Sequence, residues 1–435
     1  MHVQASSQLA TVASDMSARE RARLGSAALA QLKGACECVE HFPESDDTHA
    51  FGPIAEHPDA EEGEDEADAE SIPTDPYARI RAAIRVVRAL HTATRRGEQR
   101  PESILQAAHE AHSRILLEAW ASEDLQLEVA SLCEDLWHSG AAGRESIASK
   151  LVLCVLARSL RTNAKADIKR VYALRGALEL FQFEDESIHS LRSLLLRCCT
   201  FPAYTKSDEG RRFLSYLFNL HPNLAEHLMA SIKNQIPTGS KRLLNAYADV
   251  LYRAWRNAAG PCLAALEREL QSLGQAAVSA STSAMASNIR RTLDGFHNKK
   301  STAGVDALLQ RIYEPVLFRA LTAANGNARR NAVLVLHDAF PIHDPSSSAS
   351  KTDTLINKQL SELLRLLLDP CLAVRVAAIT TSCAILDAYW EFMPSATASS
   401  IITTLADKCA KDSASPQARQ ATVKVCRRCE RGISD

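Results

Sequence analysis

The stretch Asp-Pro-Cys-Leu-Ala-Val-Arg-Val-Ala-Ala (residues 369–378) is the middle one of three related segments. The others read Asn-Ala-Arg-Arg-Asn-Ala-Val (residues 327–333) and Ser-Ala-Ser-Pro-Gln-Ala-Arg-Gln-Ala (residues 413–421). Aligned on the arginines at positions 329, 375 and 419, the segments are 46 and 44 residues apart. A period of about 40–47 residues, carried by paired helices, is the signature of HEAT and armadillo arrays. Such pairs bury their apolar faces only by stacking, so the sequence predicts an all-α solenoid of antiparallel helix pairs that binds partners.

The middle segment is the clearest repeat. A first helix, with apolar residues spaced by three and four, ends at Asp369, which caps the next helix together with the proline that follows. In HEAT repeats an Asp at the turn and an Arg six residues later face the neighbouring repeat, and Asp369 and Arg375 have this spacing. At the same spacing the third copy has Ser413 and the first has Ala323. The residues predicted to stack the repeats, rather than to contact DNA, are Asp369, Arg375, Arg419 and Arg329.

Two longer segments go beyond a generic repeat. Residues 330–345 end in Leu-His-Asp-Ala-Phe-Pro-Ile-His-Asp-Pro, and Leu-Asp-Pro at 368–370 is followed by Tyr-Trp-Glu-Phe-Met-Pro at 389–394. In this order they resemble the G-type HEAT-repeat subunit of condensin II, closely over residues 325–412 and elsewhere in helical pattern alone. These segments are fingerprints of packing and not an active-site motif. Members of that family are considerably longer, so the resemblance predicts an N-terminal portion, a fragment or a truncated gene model.

The resemblance implies a non-enzymatic regulatory subunit that acts in mitotic chromosome condensation and segregation. Its implied partners are the kleisin subunit of condensin II, clasped by the solenoid, and through kleisin a pair of SMC ATPases. Duplex DNA or chromatin, contacted jointly with kleisin, is a further implied partner. The implied location is the nucleus and the chromosome.

The composition indicates a large helical protein in a reducing compartment. Of 435 residues, 46% are hydrophobic and only 5% are aromatic, which argues against a β-rich barrel or sandwich. Twelve cysteines are dispersed along the chain, most of them in apolar helical contexts, which suits the cytosol or nucleus. No signal-peptide pattern is present, and the longest apolar run, residues 151–157, is too short to span a bilayer. We therefore expect a soluble intracellular protein that contacts no membrane.

The formal net charge of −2 conceals an asymmetry. Residues 44–70 contain 12 of the 52 acidic residues and no Lys or Arg, so the remaining 40 acids face 50 basic residues and leave a charge of +10. A basic solenoid with a detachable acidic segment fits a phosphate-bearing partner, although long helical proteins also carry many charges that are merely solvated. We hypothesise that the acidic segment mimics DNA and occupies the basic edge when DNA is absent.

The pattern along the chain predicts five regions. They are an N-terminal helix with a disordered start (1–43), an acidic disordered linker (44–76), an N-terminal helical-repeat region (77–273), a polar linker (274–304) and well-marked HEAT repeats (305–435).

Basic residues cluster in four places, one of them a helical stripe and three near predicted helix starts, where repeat turns line one edge of a solenoid. The clusters are Arg81, Arg85 and Arg88; Lys165, Lys169 and Arg170; Arg211 and Arg212; and Lys241 and Arg242. A row of cations follows a phosphate backbone without reading bases, and the lack of interleaved aromatic residues favours duplex over single-stranded DNA. The alternative is a solvated face with surface ion pairs, each worth about 0–1 kcal/mol.

Motifs for catalysis or cofactor binding are weak or missing. His109 and His112 share a helix face, but the metalloprotease motif needs histidines four residues apart. Cys426 and Cys429 form a single Cys-x-x-Cys, whereas a structural zinc site needs four ligands. The sequence contains no P-loop, no Gly-x-Ser-x-Gly elbow and no kinase signature. We therefore predict that the chain is not an enzyme and has no catalytic residues, metal or cofactor.

Two other classes of function stay open at this point. One is a HEAT scaffold or adaptor of the transport-receptor or phosphatase-adaptor kind, which binds peptides or proteins and no DNA. Weak salt dependence of nucleic-acid binding would favour it. The other is a zinc hydrolase built on His109 and His112, which predicts stoichiometric metal.

Overall fold

The computed structural model describes residues 2–41, 75–94, 101–185, 188–413 and 415–423. These residues form α-helices connected by turns and by short 3₁₀ helices. The packing divides the chain into two compact units, Met1–Gln182 and Phe183–Asp435. This division differs from the predicted boundary near residue 273.

Unit 1 contains seven α-helices among its described residues. They are α1 (His2–Asp15), α2 (Ala18–His41), α3 (Pro76–Ala93), α4 (Glu102–Arg114), α5 (Glu123–His138), α6 (Ala148–Thr162) and α7 (Lys165–Ala173), with 3₁₀ helices at Arg144–Ile147 and Arg175–Leu180. Helix α3 packs against α1, α2, α4 and α5, and α6 packs against α5 and α7. The core of the unit includes the fully buried Ile80, Leu90 and Ile104.

Unit 2 contains twelve labelled helices among its described residues. They are α8 (His189–Thr200), α9 (Pro202–Lys206), α10 (Asp208–Leu217), α11 (Pro222–Gln235), α12 (Lys241–Asn257), α13 (Gly260–Ser279), α14 (Ser283–His297), α15 (Val305–Leu321), α16 (Gly326–Ala339), α17 (Ala349–Leu366), α18 (Leu372–Tyr389) and α19 (Ser395–Thr404). A π-helical turn, Leu405–Cys409, follows α19, and residues 416–423 are again helical.

The helices of unit 2 stack in two layers. In one layer α10, α12, α14, α16 and α18 each contact the next member, and in the other the series α8, α11, α13 and α15 does the same. Helices that are consecutive in the chain, such as α13 and α14 or α15 and α16, pack across the layers and are joined by short connections, so they run antiparallel. The predicted all-α stack of antiparallel helix pairs is confirmed.

Local sequence explains where the helices begin and how closely they approach. The Ser240 hydroxyl accepts a hydrogen bond from the Leu243 N–H at the start of α12, and the Thr282 hydroxyl accepts one from the Met285 N–H at the start of α14. The backbones of α12 and α14 then meet at Gly295, where an added Cβ would lie 2.3 Å from the Ala248 carbonyl oxygen.

Two segments are more ordered than the sequence predicts. Residues 2–15 form α1, which packs on α3, where the prediction was a disordered start. Residues 283–297 form α14 within the predicted polar linker 274–304. Small residues such as Ala286 occupy its buried face and weaken the apolar periodicity that reveals a helix. The acidic segment 44–70 lies outside the described residues.

Helix α18 is apolar enough to resemble a membrane span. By length and composition alone this 18-residue helix could cross a bilayer, with a mean hydropathy of 1.4. In the fold it packs against α16 and α17, and Val374, Ala378 and Ile379 are fully buried. Its hydropathy is therefore that of a central helix in a stack.

Candidate nucleic-acid interface and arginine ladder

An arginine–aspartate pair links two repeats in unit 2. Arg329, on α16, donates from Nε to Asp369 Oδ2 at 2.7 Å and from Nη2 to Oδ1 at 2.8 Å. Its Nη1 also donates to the carbonyl oxygen of Ala323 at 2.7 Å, within its own repeat's turn. The Arg329 and Asp369 side chains are only 11% and 2% exposed. One guanidinium therefore ties its own turn to the turn before α18.

The same pattern recurs one repeat further along the chain. Arg375 Nη1 donates to the Asp369 carbonyl oxygen at 2.8 Å, and its Nη2 lies 3.3 Å from the Asp412 carboxylate. Arg419 donates in turn to the Asp412 carbonyl oxygen at 2.5 Å. The Asp369 carboxylate thus pairs with Arg329 of the preceding repeat, whereas Arg375 binds the backbone carbonyl oxygen of Asp369. In the next repeat the carboxylate comes from Asp412, seven residues before Arg419. The six-residue spacing had pointed to Ser413 instead.

Arg211 has the geometry of the ladder as well. Its Nη1 donates to the Thr205 carbonyl oxygen, six residues earlier, at 3.2 Å, and its Nε donates to Asp249 at 2.7 Å. Arg253 donates to Asp249 at 2.8 Å and to Asp208 at 3.0 Å. Burial alone would raise the pKa of Asp249, but the hydrogen bonds from Arg253 and Arg211 outweigh it and hold that pKa below its ordinary value. This arginine, predicted to contact DNA, is engaged in stacking α10 on α12.

Two asparagines that sequence reasoning missed extend the ladder. Asn288, on α14, donates to the Ile236 carbonyl oxygen at 3.0 Å, and Asn331, on α16, donates to the Ala280 carbonyl oxygen at 3.0 Å. Each side chain therefore caps the turn of the preceding repeat. The two positions are 43 residues apart (331 minus 288), which falls within the repeat period of about 40–47 residues, so an alignment on asparagine would have found them.

The basic clusters of unit 1 divide into paired and unpaired cations. Arg88 lies 2.8 Å from the Asp135 carboxylate, and Arg170 lies 2.9 Å from the Glu134 carboxylate, both on α5. These two arginines join neighbouring helices. Lys169 is exposed on α7.

Three other cations of unit 1 have no carboxylate partner among the described residues. Arg81 and Arg85 lie half-buried on α3, two turns and one turn before Arg88 respectively, and Lys165 is exposed at the start of α7. Their charge is therefore available to an anionic partner.

Unit 2 shows the same division. Arg212 lies 2.8 Å from Asp208 in the first turn of α10. Lys241 and Arg242 are exposed in the first turn of α12, and neither has a carboxylate within ion-pair distance in the part of the chain that the structure describes. Five of the ten predicted DNA-contacting residues thus carry charge that no described acid neutralises.

Of the residues considered as metal ligands, His112 is buried and takes part in a hydrogen bond of the fold. His112 is 4% exposed, and its Nε2 accepts a hydrogen bond from the Lys150 backbone N–H at 3.1 Å. Burial, with the nearby His109 and Lys150, lowers the pKa of His112 to about 4. Within the described ranges no group of three or more His, Cys, Asp or Glu residues is arranged to hold a metal ion. Cys426 and Cys429 lie outside those ranges.

Comparison with known proteins identifies relatives. Residues 197–344 match the family described as condensin II non structural maintenance of chromosomes subunit. The chain is 34% identical over 303 residues to condensin-2 complex subunit G2 of Xenopus laevis, covering 69% of this chain and 26% of that protein. It is 35% identical over 303 residues to the Homo sapiens subunit G2, with the same coverage. The chain thus spans about a quarter of the length of these curated relatives, and the family match begins well before residue 325.

Solved structures also show a distant likeness. A crystal structure of Kap121p matches at 14% identity and a TM-score of 0.42, over 82% of this chain and 37% of that one. A structure of the Pds5–Scc1 complex matches at 8% identity and a TM-score of 0.33, over 77% of this chain and 58% of that one. The sequence relatives are far closer. Over the matched residues, therefore, the chain belongs to the family of condensin II non-SMC subunits of the G2 type.

Proposed function

We propose that this chain is a non-enzymatic HEAT-repeat regulatory subunit of condensin II, which binds kleisin and duplex DNA in mitotic chromosome condensation and segregation. The observation that carries the proposal is the 34–35% identity to condensin-2 subunit G2 over about two thirds of the chain. On this proposal the SMC ATPase pair is reached indirectly, through kleisin. The chain then works in the nucleus, on chromosomes.

The two-layer stack of unit 2 suits an extended partner such as kleisin. Helices held in register by buried ion pairs form a preorganised surface, and binding to such a surface spares the cost of ordering both partners. A weakly ordered chain then gains contacts from several repeats at once, which offsets its own ordering entropy.

The unpaired cations support the DNA part of the proposal. Arg81, Arg85 and Lys165 in unit 1, and Lys241 and Arg242 in unit 2, are the predicted contacts that no described carboxylate neutralises. Cations that follow a phosphate backbone add affinity through counterion release and read no bases. We therefore expect binding to duplex DNA that is independent of sequence and strongly dependent on salt.

Co-purification with a panel of kleisin fragments from the same organism tests the kleisin part. Selective capture of the condensin II kleisin is the expected result. If a folded helical sample captures no kleisin fragment, the kleisin part of the proposal fails for these 435 residues.

The proposed DNA binding is tested by comparing a variant that lacks two unpaired cations with a variant that lacks two paired cations. In Lys241→Ala/Arg242→Ala, the slope of log Kd for duplex DNA against log salt should fall by about 1 for each phosphate that the variant can no longer neutralise. The matched control is Arg268→Ala/Lys411→Ala, which removes two exposed cations whose carboxylate partners lie at 3.0 Å from each. An equal decrease of slope in both double variants would mean that net charge alone, and not this edge, governs DNA binding.

A further inference from the structure

Two stretches without acidic residues face each other in unit 2. Residues 270–293 and residues 315–337 contain no Asp or Glu but hold the arginines at positions 290, 291, 319, 329 and 330. The first stretch includes the turn between α13 and α14, and the second includes the start of α16, which packs on both of those helices. Arg290 pairs with Asp338 and Arg329 with Asp369, both of which lie outside these two stretches, so the contact at the start of α14 and α16 is richer in cations than in acids.

Ser283 joins the two stretches through one hydrogen bond. Its hydroxyl oxygen, exposed at the start of α14, accepts a hydrogen bond from Arg330 Nη1 at 2.5 Å. The neighbouring Asn331 donates to the Val278 and Ala280 carbonyl oxygens and so pins the same turn. Arg330 has no carboxylate partner among the described residues, so its charge rests on a neutral hydroxyl.

We propose that Ser283 is a phosphorylation site whose phosphoryl group is received by Arg330. In the modification a protein kinase transfers the γ-phosphoryl group of a nucleoside triphosphate. A bond forms between the γ-phosphorus and Ser283 Oγ, the bond to the β–γ bridging oxygen breaks, and the hydroxyl proton passes to the kinase's base. The nucleoside diphosphate leaves, and the serine gains about −1.5 to −2 charges and three acceptor oxygens.

The first consequence is a tighter contact between α14 and α16. The acceptor of the hydrogen bond from the charged Arg330 guanidinium changes from a neutral hydroxyl to an ionised phosphate, and arginine–phosphate hydrogen bonds are shorter and stronger than those to neutral acceptors. No described carboxylate in either stretch competes for the guanidinium or repels the phosphate.

The second consequence, which rests on the proposed function, concerns DNA. Asn288 on α14 contacts the Ile236 and Pro237 carbonyl oxygens, so α14 lies against the turn that precedes Lys241 and Arg242. Ser283 lies five residues before Asn288 on the same helix, so a phosphate there adds negative charge to the helix that packs against this turn. Phosphorylation therefore opposes DNA binding at this edge while it strengthens the stack.

The test compares the full chain with and without phosphoserine installed at position 283 by genetic-code expansion. We expect phosphoserine to raise Tm by about 2–4 °C and Arg330→Gln to abolish that rise. Phosphoserine at position 281, an exposed residue two positions earlier, is the matched control and should leave Tm unchanged. An unchanged Tm at 283, an equal rise at 281, or a rise that survives Arg330→Gln would each overturn the assignment.

Two further readouts separate this inference from the proposed function. Phosphopeptide mapping of the protein purified from its own organism, in mitosis and in interphase, should find phosphate on Ser283; recovery of that peptide only in unmodified form would refute the site. Duplex DNA affinity at low salt should fall on phosphorylation. If no form of the chain binds DNA, the proposed DNA contact fails, whereas the thermal shift and the mapping still decide the modification.

Discussion

Replacement of Asp369 by alanine removes the carboxylate that joins two repeats of unit 2. Three donors lose their acceptor: Arg329 Nε, Arg329 Nη2 and the Cys371 backbone N–H, which lie 2.7, 2.8 and 2.8 Å from it. Arg329 keeps only the carbonyl oxygens of its own turn. The Arg329 side chain is only 11% exposed in the structure, so the alanine variant leaves a buried guanidinium without a carboxylate partner.

The magnitude follows from burial. Removing one partner of a buried ion pair leaves an uncompensated charge and costs about 3–5 kcal/mol, whereas an exposed pair is worth about 0–1 kcal/mol. The Arg268–Glu226 pair, at 3.0 Å with side chains 69% and 43% exposed, is the matched control for a pair of similar length. We therefore expect Asp369→Ala to lower the free energy of unfolding by about 3–5 kcal/mol, and Glu226→Ala by less than about 1 kcal/mol.

Urea unfolding followed by circular dichroism measures both variants. Asp369→Asn keeps an oxygen for the Cys371 N–H but not the charge, so it should fall between the wild type and the alanine variant. Hydrogen exchange should show reduced protection in α16 and α18, the two helices that the pair joins. The apolar double variant Arg329→Met/Asp369→Leu should recover much of the stability, because it leaves no buried charge unpaired.

The reasoning fails if Asp369→Ala and Glu226→Ala cost the same. It also fails if the apolar double variant is as unstable as Asp369→Ala, since the cost would then not come from an orphaned charge. A change in hydrogen-exchange protection confined to unit 1 would likewise contradict the reasoning, because Arg329 and Asp369 both lie in unit 2.

Three further outcomes are expected, two from the structure and one from the charge pattern of the sequence. In Asp369 and Asp249 burial favours the protonated form, but hydrogen bonds from arginine outweigh it and lower both pKa values. The stability that these carboxylates contribute is therefore present above the unfolded pKa of about 3.9 and is lost as pH falls through the folded pKa values. In urea unfolding below about pH 4, the free energy of unfolding of Asp249→Asn should therefore fall less steeply with pH than that of the wild type. Gly295→Ala should cost about 1–3 kcal/mol in urea unfolding, because the new Cβ meets the Ala248 carbonyl oxygen, whereas Gly34→Ala, with open space around it, should stabilise by about 0.5–1 kcal/mol. Deletion of residues 44–70 should raise the affinity for duplex DNA at low salt in a binding titration, and an unchanged affinity would count against the acidic segment as a DNA mimic.

The basic residues show how far sequence reasoning reaches into the candidate site. The clustering of basic residues predicted DNA contact for Arg81, Lys241 and Arg211 alike, because clustering depends only on composition along the chain. Whether a cation is free depends on which acid lies beside it in space. Asp249 comes 38 residues after Arg211 and pairs with it across two helices, which no local pattern reveals.

The 44–46-residue spacing of the arginines, the Asp-Pro break and the apolar periodicity by themselves determine an all-α stack of helix pairs, because helix formation and its termination are local properties of the chain. The partners within that stack depend on tertiary packing. Asp369 pairs with Arg329 of the preceding repeat and not with Arg375, and Ser283 meets Arg330 only because α14 lies against α16. These contacts join residues about 40–47 positions apart, and the rotation of one helix against the next, set by side-chain packing over the whole unit, selects which of them form.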